Sequence, residues 1–453
     1  MKGAKTRTIS GAVRVAPHIV ALVLLVAPPR AIFGEDVPVS LAQALDLAAQ
    51  QNPEILAQQA RTDAEAAKAG LVARANWPRL SLATGWSRTD TPSMVFAQRL
   101  NAGEFTQDDF AIGRLNDPGA LSHLTTTLVA DVPVDLFGKV KARVKAQSSN
   151  ERATRAALDE ALQDLRLRVV EAYRRAALVH RVAGVAERAL ASARAREADI
   201  EARVAEGSAL GADLLRVRAR RRQREADLAE RRADAQIAVA MLSRPLGAGP
   251  GVSYRPTEMA TAPTPLEGDG ASWTARALAA RPTLRAANER LNGQSWSVRA
   301  EGRSNRPDLA AWGQVQDDRS GFTGGNRSGA FGVLLRWSAF DPARGKRVAV
   351  ASAEARAAEL DARAAGDQVR LEVETAWRQA QAARERYAAA VGGGQEGREA
   401  LRVVQERRQQ GMATLTDELE TEAASLFAEL EELRAASQAA IADAALLRAA
   451  GAL

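Results

Sequence analysis

The sequence predicts a mainly α-helical protein with a small β part, built as two tandem copies of one unit. Three observations predict it. Proline and motif spacings recur at near-constant offset along the 453 residues. Two proline-free stretches of about 65 residues each, Lys139 to Ala205 and Lys346 to Gln409, carry helix-forming composition. Short runs with period-two alternation precede both stretches.

The repeat is read from matched residues. Pro53 and Pro78 are 25 residues apart, as are Pro282 and Pro307, and Asn76-Trp77-Pro78-Arg79-Leu80 matches Asn305-Arg306-Pro307-Asp308-Leu309. Leu167, Val169, Ala172, Tyr173 and Arg174 align with Leu371, Val373, Ala376, Trp377 and Arg378 at an offset of 204. The same offset pairs Arg203, Gly207 and Asp213 with Arg407, Gly411 and Asp417. Phe137 falls opposite Phe340. The copies cover 35–245 and 272–453, joined by a Pro- and Gly-rich linker at 246–271.

Each copy has the same order of elements. A helix of about 35 residues comes first, Ser40 to Asn76 and Ser272 to Asn305, with Ser40 as N-cap and Pro78 and Pro307 as stops. Strands are expected at 79–88 and 121–137 in the first copy and at 308–317 and 329–340 in the second. Leu80, Leu82, Thr84 and Trp86 alternate with Ser81, Ala83, Gly85 and Ser87, so the two faces of the sheet meet different environments. The long helix of each copy spans roughly 100 Å at about 1.5 Å per residue. Return helices follow at Asp213 to Leu242 and Asp417 to Leu447. Two shorter helices stacked end to end match one long helix in length. Gly392, Gly393 and Gly394 interrupt the second long helix, where the first copy has Arg188, Ala189 and Leu190.

Composition excludes several classes. The chain has no cysteine, so disulfides, thiolate metal sites and a lipid-modified cysteine are out. Residues 1–34 read as an export signal: Lys2, Lys5, Arg7 and Arg14 precede an apolar run, Ile19 to Val26, too short to span a bilayer. Removing these residues takes five cations and no acid, so the formal charge of +7 falls by five to +2 and a nucleic-acid role loses its support. The basic run Arg218 to Arg224 is followed at once by Glu225, Asp227 and Glu230, as on a solvated helix face. His18, His123 and His180 are isolated, and no phosphate loop or nucleophile elbow is present. No enzyme activity, cofactor or metal is expected.

Four strands per chain cannot close a barrel, and open strand edges cannot face lipid. Strands of alternating polarity in an exported chain therefore suggest a barrel shared between subunits. A secreted or surface coiled-coil scaffold is the alternative; it accounts for the helices and the alanine, but not for strands placed symmetrically in both copies.

The sharpest local signals are Ala205-Glu206-Gly207-Ser208-Ala209-Leu210-Gly211-Ala212-Asp213 and Gln410-Gly411-Met412-Ala413-Thr414-Leu415-Thr416-Asp417. Each has Arg four residues before Gly and Asp six after it. Asp135-Leu136-Phe137-Gly138 enters the first long helix. With the order of elements, these segments resemble the TolC-like outer membrane efflux family over nearly the whole mature chain. The resemblance implies a homotrimer, with a 12-stranded outer-membrane barrel on a long periplasmic helical barrel. It implies a periplasmic adaptor protein and, through it, an inner-membrane transporter as partners. The connections Thr89 to Ala120 and Asp318 to Ser328 would be outer loops.

By the same resemblance, Asp417, Glu420 and Asp213 belong to the tunnel entrance, and Arg203, Gly207, Arg407 and Gly411 to the helix-turn tip that meets the adaptor. Asp417 and Glu420 share a helix face by their i,i+3 spacing. Capping of the return helices is the competing role for Asp213 and Asp417. Gly207 and Gly411 are expected at positive φ in sharp turns. Arg203 and Arg407 would bond the preceding carbonyls or reach the adaptor. The chain departs from family members at two places: Arg216 stands where the second copy has Glu420, and Arg408 where some relatives carry tyrosine.

Overall fold

The computed structural model describes residues 35–259, 263, 267–321 and 324–453. The export signal expected at 1–34 lies outside the described residues. Strand β1 (Glu35–Val39) opens the fold and leads into α1 (Leu41–Gln51) and α2 (Pro53–Ala73). Ser40 caps α1 through a capping box with Gln43. The expected single first helix is two helices, because Pro53 lacks the N–H a continuing helix needs and starts α2 instead. Asn52 supplies the cap, its Oδ1 accepting from the Glu54 and Ile55 amides.

Strand β2 (Arg79–Thr89) follows, then an excursion with α3 (Pro92–Ala102) and α4 (Ile112–Asn116), then β3 (Leu121–Val134). The first long helix α5 (Lys139–Ala205) and return helix α6 (Gly211–Ser243) complete the first copy. Within 246–271 the structure places a strand, β4 (Val252–Pro256), paired in parallel with β1. Tyr173 of α5 fastens this small sheet: its hydroxyl donates to the Val39 carbonyl at 3.0 Å and accepts from the Thr257 and Glu258 amides. The second copy comprises α7 (Gly270–Ala280), α8 (Pro282–Gly302), β5 (Asp308–Ser320), β6 (Asn326–Arg336), α9 (Arg344–Gln409) and α10 (Leu415–Ala449). Pro282 splits the first helix here as Pro53 does.

The helices form a wall. The stacked pair α2 and α6 lies against α5, α5 against the stacked pair α8 and α10, and that pair against α9. The two long helices are 67 and 66 residues, yet α5 buries 18 residues and α9 six. The difference follows from position: α5 has neighbours on both sides and α9 on one.

The four strands form an antiparallel sheet in the order β2, β3, β5, β6. One face carries Leu80, Leu82, Trp86, Leu124, Leu128, Val315, Phe331, Val333 and Leu335; the other carries Ser81, Ser87, His123, Thr125, Gln314, Gln316 and Asp318. From Val134 to Leu124 the apolar face runs for about 33 Å of strand, or about 25 Å of height at a barrel tilt near 40°. All four helix connections leave one end of the sheet. At the other end the excursion folds over the polar face: Gln98 Nε2 donates to Ser87 Oγ at 3.3 Å, and His123 and Asp318 beneath are buried, with Nε2 and Oδ1 2.8 Å apart. Phe96, Phe105 and Phe110 meet edge to face, and Arg99 pairs with the buried Asp109 at 2.8 Å. The Thr89 to Ala120 connection is thus a packed substructure, and Asp318 belongs to β5.

Helix α9 runs unbroken through Gly392, Gly393 and Gly394. An added Cβ at Gly392 or Gly393 meets open space, whereas at Gly394 it meets the Glu432 carboxylate of α10. Close packing thus accounts for one glycine of the three. Each glycine costs about 1 kcal/mol relative to alanine in a helix. In hydrogen exchange on the detergent-solubilised protein, amides from Val391 to Gln395 are expected to exchange faster than those from Glu187 to Ala191. Equal rates would mean that packing compensates fully.

Candidate functional site

The tip of the wall, farthest from the sheet, is where each long helix turns back. Gly207 and Gly411 both have φ of 76°, in the left-handed region that favours glycine. Each closes its helix in the same way. Gly207 N–H donates to the Val204 carbonyl and Ser208 N–H to Arg203; Gly411 N–H donates to Arg408 and Met412 N–H to Arg407. This double bond pattern satisfies carbonyls that the helix end leaves open.

The two return helices start differently. In α10, Thr414 and Asp417 form a capping box: Asp417 Oδ2 accepts from Thr414 N at 2.9 Å and from its hydroxyl at 2.7 Å. The hydroxyl and the amide of Thr414 hold the Asp417 carboxyl below its ordinary range. Asp417 is exposed, and its N–H donates to Thr414 Oγ1 at 3.1 Å. Asp213 has no such partner, because Leu210 occupies the cap position. Asp213 instead lies 3.6 Å from the Arg216 guanidinium and lines a depression with Arg203, Gly207, Arg408 and Leu415. Glu420 is exposed on a groove between α6 and α10, shared with Arg216, Arg220, Thr416 and Leu419. The groove therefore mixes charges, as the Arg216 departure suggests.

Neither arginine of the motif bonds the last carbonyls through its side chain. Arg203 Nε donates to Asp199 Oδ1 at 3.1 Å, one turn back, and Arg407 is exposed without an ion-pair partner among the described residues. Arg408 does the tying. It pairs with Glu418, which is buried at 5% exposure, and Glu418 also holds Arg196 of α5 at 3.0 Å. Arg196 reaches Glu422 as well, and Arg188 reaches Glu429 at 2.7 Å. One carboxylate thus joins both long helices to α10, and a ladder of arginines on α5 meets acids on α10. Sequence reading missed Arg196, Glu418 and Glu422. A signal exists: Arg196 lies 11 residues before Gly207 and Glu422 11 after Gly411, which puts them at equal height on antiparallel helices.

A family profile described as Outer membrane efflux protein matches residues 44–248 and 273–452. The chain belongs to the outer membrane efflux protein family. It is an outer-membrane channel subunit of tripartite efflux systems, with a periplasmic helical portion. The CmeC outer membrane channel of Campylobacter jejuni is similar in structure, with a TM-score of 0.74 and 16% identity over 91% of this chain and 85% of that one. The outer membrane protein VceC of Vibrio cholerae gives 0.70 and 20% over 91% and 96%. The open state of the MtrE outer membrane channel of Neisseria gonorrhoeae gives 0.70 and 19% over 91% and 88%. No curated protein sequence matches the chain significantly. The family assignment accords with the two-copy reading of helix, strands, long helix and return helix, and with a duct in place of an enzyme.

Proposed function

We propose that the efflux protein works as a homotrimer and a passive duct, opened at its periplasmic tip by an adaptor that links it to an inner-membrane transporter. The observation that carries the trimer is the protomer's two complementary flanks. Among the described residues β2 pairs only with β3 and β6 only with β5, so each end of the sheet keeps an open edge. The same flanks expose α2 and α6 on one side and the sparsely buried α9 on the other. Joining them three times gives 12 strands and a closed helical wall, and removes every open edge from lipid. The repeats, 35–245 and 272–453 about the 246–271 segment, each supply half of the wall. The apolar sheet face favours this reading over a secreted scaffold. The detergent-extracted protein is expected to migrate as a heat-modifiable trimer and to conduct ions in planar bilayers. A stable soluble monomer without detergent would overturn the proposal.

The adaptor contact falls on the tip turns, with Arg203, Gly207, Arg407 and Gly411 presented there. Arg407 is the arginine left available. Asp417, Glu420 and Asp213 form the entrance, three copies of each around the threefold axis. Replacing both Asp417 and Glu420 with alanine is expected to raise conductance and weaken block by divalent cations. Loss of the capping box costs about 1 kcal/mol of helix stability, so tip helicity is monitored alongside. Unchanged conductance and block would reduce Asp417 to a helix cap.

A further inference from the structure

The apolar face of the sheet ends, at the side away from the helices, in a cluster of arginines. Arg88 of β2, Arg319 of β5 and Arg327 of β6 all project from the face that carries Leu82, Trp86 and Phe331. One acid accompanies them. Asp317 accepts from Arg319 Nε at 2.6 Å and from Arg327 Nε at 3.4 Å. Both bonds use Nε, so the two outer guanidinium nitrogens of each arginine are not spent on Asp317. Arg327 is 79% exposed, and Arg88 is exposed with no ion-pair partner among the described residues. The opposite end of this face has no such cluster; it is bordered by exposed Trp77, Trp337 and Phe340.

Directly below the arginines the same face is grooved. Gly313 and Gly329 have no side chains, so Leu128, Val315 and Phe331 stand around a shallow apolar channel. An added Cβ at Gly329 would come no closer than 3.5 Å to its nearest neighbour, the Gln314 carbonyl, so steric need does not explain that glycine. From Val315 to Arg319 is about 13 Å along the strand, which leads from the channel straight into the cations.

We propose that this patch binds a phosphorylated, multiply acylated glycolipid of the outer leaflet, with phosphates on Arg88, Arg319 and Arg327 and an acyl chain in the Gly313–Gly329 channel. The end of the sheet away from the helices faces out of the cell, so the cations sit at outer-leaflet headgroup depth. Three arginines against one carboxylate leave a positive excess that suits phosphate. Arg88 and Arg319 lie two strands apart and are offset by two residues along the sheet, about 12 Å at ordinary strand geometry. That width suits a headgroup with two separated phosphates better than a single phosphodiester. In the closed trimer β6 of one copy adjoins β2 of the next, so Arg327 and the neighbour's Arg88 meet at the same seam.

The test uses native mass spectrometry of the full-length trimer in mild detergent, titrated with diphosphoryl lipid A, monophosphoryl lipid A and phosphatidylglycerol. The second phosphate is expected to tighten binding roughly fivefold, the worth of one cation near a charged headgroup. Phosphatidylglycerol is expected to bind more weakly than either. The triple variant R88Q/R319Q/R327Q should lose the preference for the second phosphate. Gly329→Val, which fills the channel and leaves the arginines, should weaken both lipid A forms equally and keep that preference. Wild-type protein that binds all three lipids alike overturns the proposal, as does a triple variant that keeps the preference. The wild-type comparison stands whether or not the variants assemble.

Discussion

A channel carrying both Arg196→Ala and Arg408→Ala is expected to conduct several times more current than the unmodified trimer, without adaptor. The reason lies in Glu418, which is buried and shares its carboxylate between these two arginines. Both arginines are themselves largely buried, at 11% and 19% side-chain exposure, so solvent screens the pairs only weakly. Removing both partners strands a buried carboxylate, and breaking such a pair costs about 3–5 kcal/mol. Helix α5 then has less to hold it to α10 at the tip, and α9 likewise. A shift of about 3 kcal/mol moves a closed–open balance by roughly two orders of magnitude, so conductance rises until the tip is fully open. Either single variant leaves one partner and should give a smaller increase. Glu418→Gln removes the charge but keeps hydrogen bonding, and should fall between. Single-channel recordings at fixed salt check the series. Unchanged conductance in the double variant would place the closing contact elsewhere, the Glu420 groove being the next candidate.

How much of this was legible in the sequence depends on whether the signal is local. The long helices are, because about 65 residues without proline and with helix-forming side chains leave one reading; Lys139–Ala205 and Arg344–Gln409 are the observed bounds. The tip glycines are legible because a turn at positive φ needs glycine whatever surrounds it. The helix breaks at Pro53 and Pro282 were visible as prolines, yet a proline can end one helix or begin the next, and only the Asn52 cap decides. The pairing of β1 with β4 was not legible. Both strands have five residues, they lie more than 200 residues apart, and a parallel pair leaves no hairpin signal. The excursion between β2 and β3 escaped because its helices are short and its core is three phenylalanines and one Arg–Asp pair. At the tip the motif residues Asp417 and Gly411 carried the signal. Glu418 carries more of the structure, because a buried acid one residue on looks the same in sequence as a solvated one.

The largest loss of stability is expected from Arg281, which stands in the second copy where Asn52 stands in the first, just before the helix-starting proline. Its side chain is 2% exposed. Nε and Nη2 donate to Glu160 of α5 at 3.1 and 2.9 Å, Nη2 to Glu372 of α9 at 2.7 Å, and Nη1 to the Ala449 carbonyl at the end of α10 at 2.8 Å. Arg448 closes the cluster on Glu160, Glu372 and Asp164. Thus one guanidinium ties the start of the second copy to both long helices and to the last turn of the chain. Arg281→Met keeps much of the volume but leaves three carboxylates, Glu160, Glu372 and Asp164, on Arg448 alone and the Ala449 carbonyl without this donor. Breaking a buried pair of this kind costs about 3–5 kcal/mol. Arg281→Lys keeps the charge without the fork, and should lie between. Acid adds a second reading. Burial raises the Glu372 carboxyl, but bonds from Gln368 and Arg281 and the charges of both arginines outweigh it, so the group sits below its ordinary value. A carboxyl lowered on folding contributes fully above its unfolded pKa, about 4.3 for glutamate, and loses that contribution as pH falls through the folded value. With Arg281 gone, burial is less opposed, so Glu372 contributes less above its unfolded pKa, and the stability gap between variant and parent should narrow as pH falls toward 3. Thermal unfolding of the detergent-solubilised trimer, followed by far-ultraviolet circular dichroism from pH 7 to pH 3, measures both effects. Equal melting temperatures for Arg281→Met and the parent across that range would mean that Arg448 alone holds the cluster.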